Sequence, residues 1–182
     1  MRKLFSLLAV MAVVLAATLP ALARVSPHET TSTVIDGNRI TIVYGRPYTK
    51  NPKTGEVRKI WGGLVPYGEV WRTGADEATL LITQQPITLG TATLPAGAYT
   101  LWTLPNADGT AQLIINNQVG QWGVGPNSYD AKRDVARVQL QRSTVAPVDQ
   151  FTMAVAKNPS GGGAITLSWE TTQWSVPVSV AK

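Results

Sequence analysis

Two β-branched runs, residues 31–35 and 38–44, flank Asp36-Gly37, and this arrangement sets the fold class. Asp-Gly between alternating apolar runs is a strong short-range hairpin signal, because both residues tolerate the positive φ of a tight hairpin turn. In the second run Ile40, Ile42 and Tyr44 share one face and Thr41 and Val43 the other, so the strand is expected to be covered on both sides. The pattern continues along the chain. Strands are predicted over residues 78–83, 87–94, 99–104, 111–116, 135–141, 151–156, 165–169 and 174–180. Pro95-Ala96-Gly97, Asn106-Ala107-Asp108-Gly109 and Ser160-Gly161-Gly162-Gly163 supply turns between them. Helical signals are confined to one turn at most within residues 127–133. Roughly nine to eleven short strands with regular turn signals imply an all-β protein, a single antiparallel β-sandwich or jelly-roll-like domain.

Residues 1–23 read as a signal peptide. Arg2 and Lys3 precede an apolar stretch over residues 4–19, and Ala21-Leu22-Ala23 is a small-residue cleavage site just after Pro20. That stretch is short of the ~20 residues a spanning helix needs. Cleavage after Ala23 is expected, giving a periplasmic or extracellular address, with residues 24–182 forming one domain. With no cysteine anywhere in the chain, a lipid anchor at the cleavage point and a disulfide are both closed off. The fold must rest on its hydrophobic core. No other segment is apolar enough to span a bilayer. Removing Arg2 and Lys3 leaves 14 basic against 11 acidic side chains, a mild excess of +3 spread along the chain. Without a Lys/Arg-rich run to track phosphates, nucleic acid is not an expected partner.

Much chemistry lacks its residues. His28 is the one histidine, so a zinc site of nitrogen and sulfur ligands cannot be assembled, and neither a metal nor another cofactor is expected. A Ser–His–acid triad would have to recruit His28, and no serine sits in a Gly-x-Ser-x-Gly turn. His28 reads as an exposed or locally hydrogen-bonded residue near the start of the exported chain. The faint calcium-loop echo at residues 106–110 lacks alternating acidic positions and a terminal glutamate, and reads as a hairpin turn.

What remains is the run from Lys59 to Thr79, which holds Trp61, Tyr67, Trp71, four glycines, Arg72 and the carboxylates of Glu69, Asp76 and Glu77. It keeps neither a helical nor a strand period, so it is expected to be a structured loop packed on the scaffold. Two constellations follow. Arg46, Arg58, Lys59 and Arg72 stand against the three carboxylates. Arg72 either pairs with Asp76 or Glu77 to pin the loop, or joins Arg46 in presenting planar donor forks to a carboxylate or phosphate ligand. Trp61, Tyr67, Trp71 and Trp122 all fall on predicted loops, where they either fill the mouth of the sandwich or stack on a sugar or peptide. Trp102 and Trp169 fall on strands and read as core.

Several ordered segments carry a resemblance: Ser26-Pro27-His28, Tyr44-Gly45-Arg46-Pro47, residues 58–79, residues 94–101, Ile114-Ile115-Asn116, and Trp122 followed by Tyr129. Together they resemble the bacterial secreted family known as domain of unknown function 2911. The resemblance implies an exported β-rich domain and brings no catalytic residues. Asp76 stands where the family more often has Asn, and residues 49–56 insert a stretch where many members pass more directly to the basic pair.

The expected function is a non-catalytic binding or envelope-associated domain with a carbohydrate or peptide ligand. Its candidate ligand-binding residues are Arg46, Trp61, Tyr67, Trp71, Arg72, Asp76 and Trp122. The alternatives are a carboxylate-dependent hydrolase of envelope material, using Glu69, Asp76 and Glu77 with Arg72, and a structural or assembly role.

Overall fold

The structure is a computed structural model that describes residues 26–123 and 128–181. The signal-peptide segment lies outside the described residues. Among the described residues there are nine strands: β1 (His28–Ile35), β2 (Asn38–Gly45), β3 (Thr79–Thr83), β4 (Ile87–Leu89), β5 (Ala92–Leu94), β6 (Gly97–Pro105), β7 (Ala111–Asn116), β8 (Asp134–Lys157) and β9 (Gly163–Val180). They hydrogen-bond in the order β1-β2-β3-β6-β7-β8-β9-β4-β5, and every neighbouring pair is antiparallel. The protein is all-β and sandwich-like.

The β1–β2 hairpin turns at Asp36 (φ 49°) and Gly37 (φ 84°), the pair of positive angles that a two-residue turn matched to strand twist requires. Period-two alternation then builds the core. Ile40, Ile42 and Tyr44 of β2, Leu101 of β6, Leu113 and Ile115 of β7, and Val138 and Leu140 of β8 are all buried in one cluster. Thr41 and Val43 on the opposite face of β2 are half-covered.

Three elements depart from the sequence expectation. Residues 87–94 form two short strands, because the chain reverses at Gly90-Thr91 and β4 pairs with β5. Residues 135–141 and 151–156 belong to one strand, β8, and residues 165–169 and 174–180 to another, β9. The β8–β9 ladder shifts register between Thr144 and Val148 and again between Val148 and Thr152. Pro147 sits in that irregular stretch, where a missing N–H interrupts no regular ladder bond. The bulged strands bend, and each serves both layers. The far half of β8 returns over β1 and β2. There Tyr44 Oη accepts from Met153 N at 2.9 Å and donates to its carbonyl at 3.2 Å, and Thr33 Oγ1 donates to Val155 O at 2.6 Å. A 3-10 turn occupies Ala131–Arg133.

Asn38 locks the start of β2. It is fully buried; its amide nitrogen donates to Thr83 Oγ1 and Gln85 O, and its oxygen accepts from the N–H groups of Gln84 and Gln85. Asn38→Ala would leave buried donors and acceptors without partners and is expected to cost about 2–3 kcal/mol in urea unfolding. A loss well under 1 kcal/mol would show that water replaces the amide there.

Candidate functional site

The run from Lys59 to Thr79 contains no strand before β3 begins at Thr79, yet its backbone is tied down along its length. Gly62 N and Val65 N close a tight turn by donating to Val65 O and Ile60 O, both at 2.9 Å. Trp71 and Thr103 exchange both backbone hydrogen bonds at 2.8 Å, which docks the loop on β6. Ala75 N donates to Gly45 O at 3.2 Å, and Ala78 N to Gln121 O at 3.0 Å. Side chains complete the anchoring: Thr73 and Thr103 hydroxyls meet at 2.7 Å, and Thr79 Oγ1 donates to Thr73 O at 2.6 Å. Thr73 (φ 57°) and Asp76 (φ 63°) lie in the left-handed region. For a β-branched residue such as Thr73 this is an outlier, and such outliers persist only where the surroundings over-determine them. Asp tolerates this backbone region as Asn does, so the Asp76 position suits either residue.

The anchored loop closes one end of the sandwich over an aromatic cluster. Trp71 stacks on Trp169 with centroids 6.0 Å apart and planes at 22°. Trp61 meets Trp71 and Trp169 edge-on, both at 6.1 Å, and Trp174 at 4.6 Å. Phe151 packs against Trp71 at 5.0 Å and Trp169 at 5.8 Å. Trp71 Nε1 donates to Gly74 O at 3.1 Å, whereas the indole N–H groups of Trp61, Trp169 and Trp174 have no hydrogen-bond partner.

A cavity of about 460 Å³ opens between this cluster and the loop, lined by Trp71, Trp169, Arg58, Arg72, Glu69 and Asp76, with Leu64, Pro66 and Val70 adding apolar wall. Its volume lies within the range of small-molecule sites. Among the described residues Arg72 makes no side-chain hydrogen bond or ion pair; its Nε is buried without a hydrogen-bond partner, as is Arg58 Nε, and Asp76 Oδ2, also without a hydrogen bond, is met by His28 Nε2 only at 3.8 Å. Burial pulls the Arg72 guanidinium below the ordinary arginine range, an effect opposed by the nearby Asp76 carboxylate. Arg58 is held on one side, where its terminal nitrogen donates to Tyr48 O. Residues 49–56 explain that placement. They fold into a small hairpin in which Asn51 N donates to Glu56 O at 2.8 Å, and Arg58 N returns to Thr49 O at 3.0 Å.

The cavity brings together Trp71, Arg72 and Asp76 of the residues expected from sequence, and the others stand apart from its lining. Arg46 has spent its guanidinium on the fold: Nε donates to Phe151 O at 3.1 Å, one terminal nitrogen to Thr152 Oγ1 at 2.8 Å and the other to Glu29. Arg58, not Arg46, is thus the second arginine at the cavity. Trp61 is half-buried inside the aromatic cluster, Tyr67 packs its ring over Gly62, and Trp122 bridges to Glu77 while remaining 60% exposed. The internal pairing of Arg72 with Glu77 does not form. His28 takes Glu77 instead, with Nε2 at 2.7 Å from Oε2, while its Nδ1 lies 3.2 Å from Ser26 O. His28 therefore binds across 49 residues as well as locally. Glu77 and His28 line a second, largely apolar cavity of about 520 Å³ with Val43, Leu80 and Val119. The three carboxylates of the loop are thus divided between two cavities.

Two cavity residues were not selected from sequence. Arg58 was one of four basic candidates, and nothing local distinguished it. Trp169 reads as core and is core, at 1% exposure, but the residue also lines the cavity and its N–H has no hydrogen-bond partner.

Among the described residues no helix is long and apolar enough to cross a membrane. Neither a search of curated proteins nor one of solved structures returned a match. A family model does match, over residues 26–178, which include every strand up to the last two residues of β9, the anchored loop and all nine residues named at the cavity. The chain belongs to the family described as protein of unknown function (DUF2911).

Proposed function

We propose that this protein is an exported, non-catalytic binding domain of the cell envelope that holds a carbohydrate or peptide ligand in the cavity beneath the Lys59–Thr79 loop. One observation carries the reading: residues lining the cavity hold buried polar atoms, on Arg58, Arg72, Asp76 and Trp169, that make no hydrogen bond to any described residue, Asp76 Oδ2 having only His28 Nε2 at 3.8 Å. Buried polar groups are normally paired, and a cluster of exceptions around one concave space marks where a ligand would complete the set. The stacked Trp71 and Trp169 rings supply the flat apolar surface on which a sugar ring or peptide side chain packs. The strained backbone at Thr73 supports the same location.

Glu69 and Asp76 line one cavity, which also supports a hydrolase reading based on that carboxylate pair. Binding is preferred because Glu77, the third carboxylate of that scheme, is engaged by His28 elsewhere. An assembly role would be favoured by fully buried loop aromatics, whereas Trp122 and Tyr67 are 60% and 42% exposed.

The tryptophan cluster makes the test direct. Titration with envelope oligosaccharides and short peptides is expected to shift intrinsic fluorescence and release heat with at least one class, without consuming the ligand. Silence with all of them at millimolar concentration would remove the binding reading, and breakdown of the titrant into products would replace it with the hydrolase.

A further inference from the structure

The ionisable side chains lining the cavity balance: Arg58 and Arg72 against Glu69 and Asp76. A purely anionic ligand would gain from the arginines and be repelled by the carboxylates, and a cation would meet the reverse. The unsatisfied atoms show the same two-sidedness. Arg58 Nε, Arg72 Nε and the Trp169 indole N–H are donors, and Asp76 Oδ2 is an acceptor. Trp169 lines the cavity and is 1% exposed, and its N–H makes no hydrogen bond within the protein. A ligand that satisfies this set must both accept and donate, at opposite signs of charge. A neutral sugar has hydroxyls that do either, but it brings no carboxylate to the buried Arg72 guanidinium, whose burial the Asp76 carboxylate only partly offsets. At about 460 Å³ the space also exceeds what a single free amino acid fills.

We infer that the ligand is a short zwitterionic peptide whose carboxylate is received by Arg58 and Arg72 and whose ammonium is received by Asp76 and Glu69, with its body against Trp71 and Trp169. This rests on the binding-domain reading and narrows it. Planar guanidinium groups recognise carboxylates through paired, charge-assisted hydrogen bonds, the ammonium supplies donors to the carboxylates, and the stacked indoles hold the apolar part.

The test uses the tripeptide alanyl-lysyl-alanine, its C-terminal amide, its Nα,Nε-diacetyl form and a neutral chitooligosaccharide, measured by calorimetry on the intact protein. Amidation is expected to weaken binding at least about tenfold, and acetylation of both amino groups by a similar factor. Arg72→Met should reduce the free peptide to the affinity of its amide and leave the amide unchanged. Asp76→Asn, which the left-handed backbone accepts, should do the same for the acetylated form. Melting temperature accompanies each variant, and Arg72→Lys, which keeps the charge without the planar fork, replaces Arg72→Met if that variant unfolds. Caps without effect, or variants that weaken every form equally, would overturn the inference. Binding of the neutral oligosaccharide with no heat from the tripeptide would overturn it while leaving the binding domain standing. Silence from both would remove the two together.

Discussion

Trp169→Ala is expected to cost about 3–5 kcal/mol, the range for deleting a large aromatic side chain from a packed core. The ring is 1% exposed and touches Trp61, Trp71 and Phe151 at centroid distances of 6.1, 6.0 and 5.8 Å. Aromatic pairs contribute roughly 0.5–1.5 kcal/mol each beyond the area they bury, so the loss falls on several partners at once. Truncation would also enlarge the adjoining cavity, and the anchored loop would lose the surface on which Trp71 stacks. Urea unfolding should show the lower midpoint, and near-ultraviolet circular dichroism should lose intensity as the coupled indoles separate. Trp122→Ala is the matched control. That ring is 60% exposed, and its removal should cost under about 1 kcal/mol. Equal losses from the two substitutions would mean that the cluster does not carry the stability of this end of the sandwich.

The parts of this architecture that are written locally were legible in the sequence. Asp36-Gly37 specifies its hairpin because the conformation required is a property of those two residues. The alternation of Ile40, Ile42 and Tyr44 specifies the buried face of β2 for the same reason. Strand continuity is different. Residues 142–150 look like an interruption, with Pro147 and Asp149 at its centre, yet the backbone ladder resumes beyond two register shifts. Whether a polar stretch breaks a strand or only bends it depends on a partner strand, and here that partner, β9, follows later in the chain. The site divides along the same line. Trp71, Arg72 and Asp76 stand out because glycine-rich sequence with large rings has few uses other than an anchored loop. Choosing Arg58 over Arg46 needed the knowledge that Phe151 O, 105 residues downstream, claims Arg46. His28 likewise found its strongest partner in Glu77 through tertiary contact, not through its neighbours.

Gly45 shows how little the sequence says about the placement of the loop, and its substitution is expected to have the second-largest effect. A Cβ built on Gly45 would stand 2.2 Å from Ala75 O and 2.9 Å from Ala75 C, both backbone atoms that cannot rotate away. The end of β2 and the loop therefore pass each other at a distance that only glycine permits, and Ala75 N donates to Gly45 O across the same contact. Gly45→Ala must push residues 72–76 away from β2, break that hydrogen bond and disturb the positive-φ backbone at Thr73 and Asp76. Overpacking typically costs 1–3 kcal/mol. With backbone on both sides of the clash, about 3 kcal/mol or somewhat more is expected here. Because Arg72 and Asp76 ride on the displaced segment, the variant should also lose the ligand response of the tryptophan cluster under conditions where it is still folded. Gly37→Ala, at a turn where an added Cβ meets nothing within 4 Å, separates the effects. It should cost about 1 kcal/mol through its positive φ and leave the ligand response intact. If Gly45→Ala melted like the unsubstituted protein, the close approach of β2 to the loop would be wrong, and with it the geometry that places Arg72 and Asp76 at the cavity.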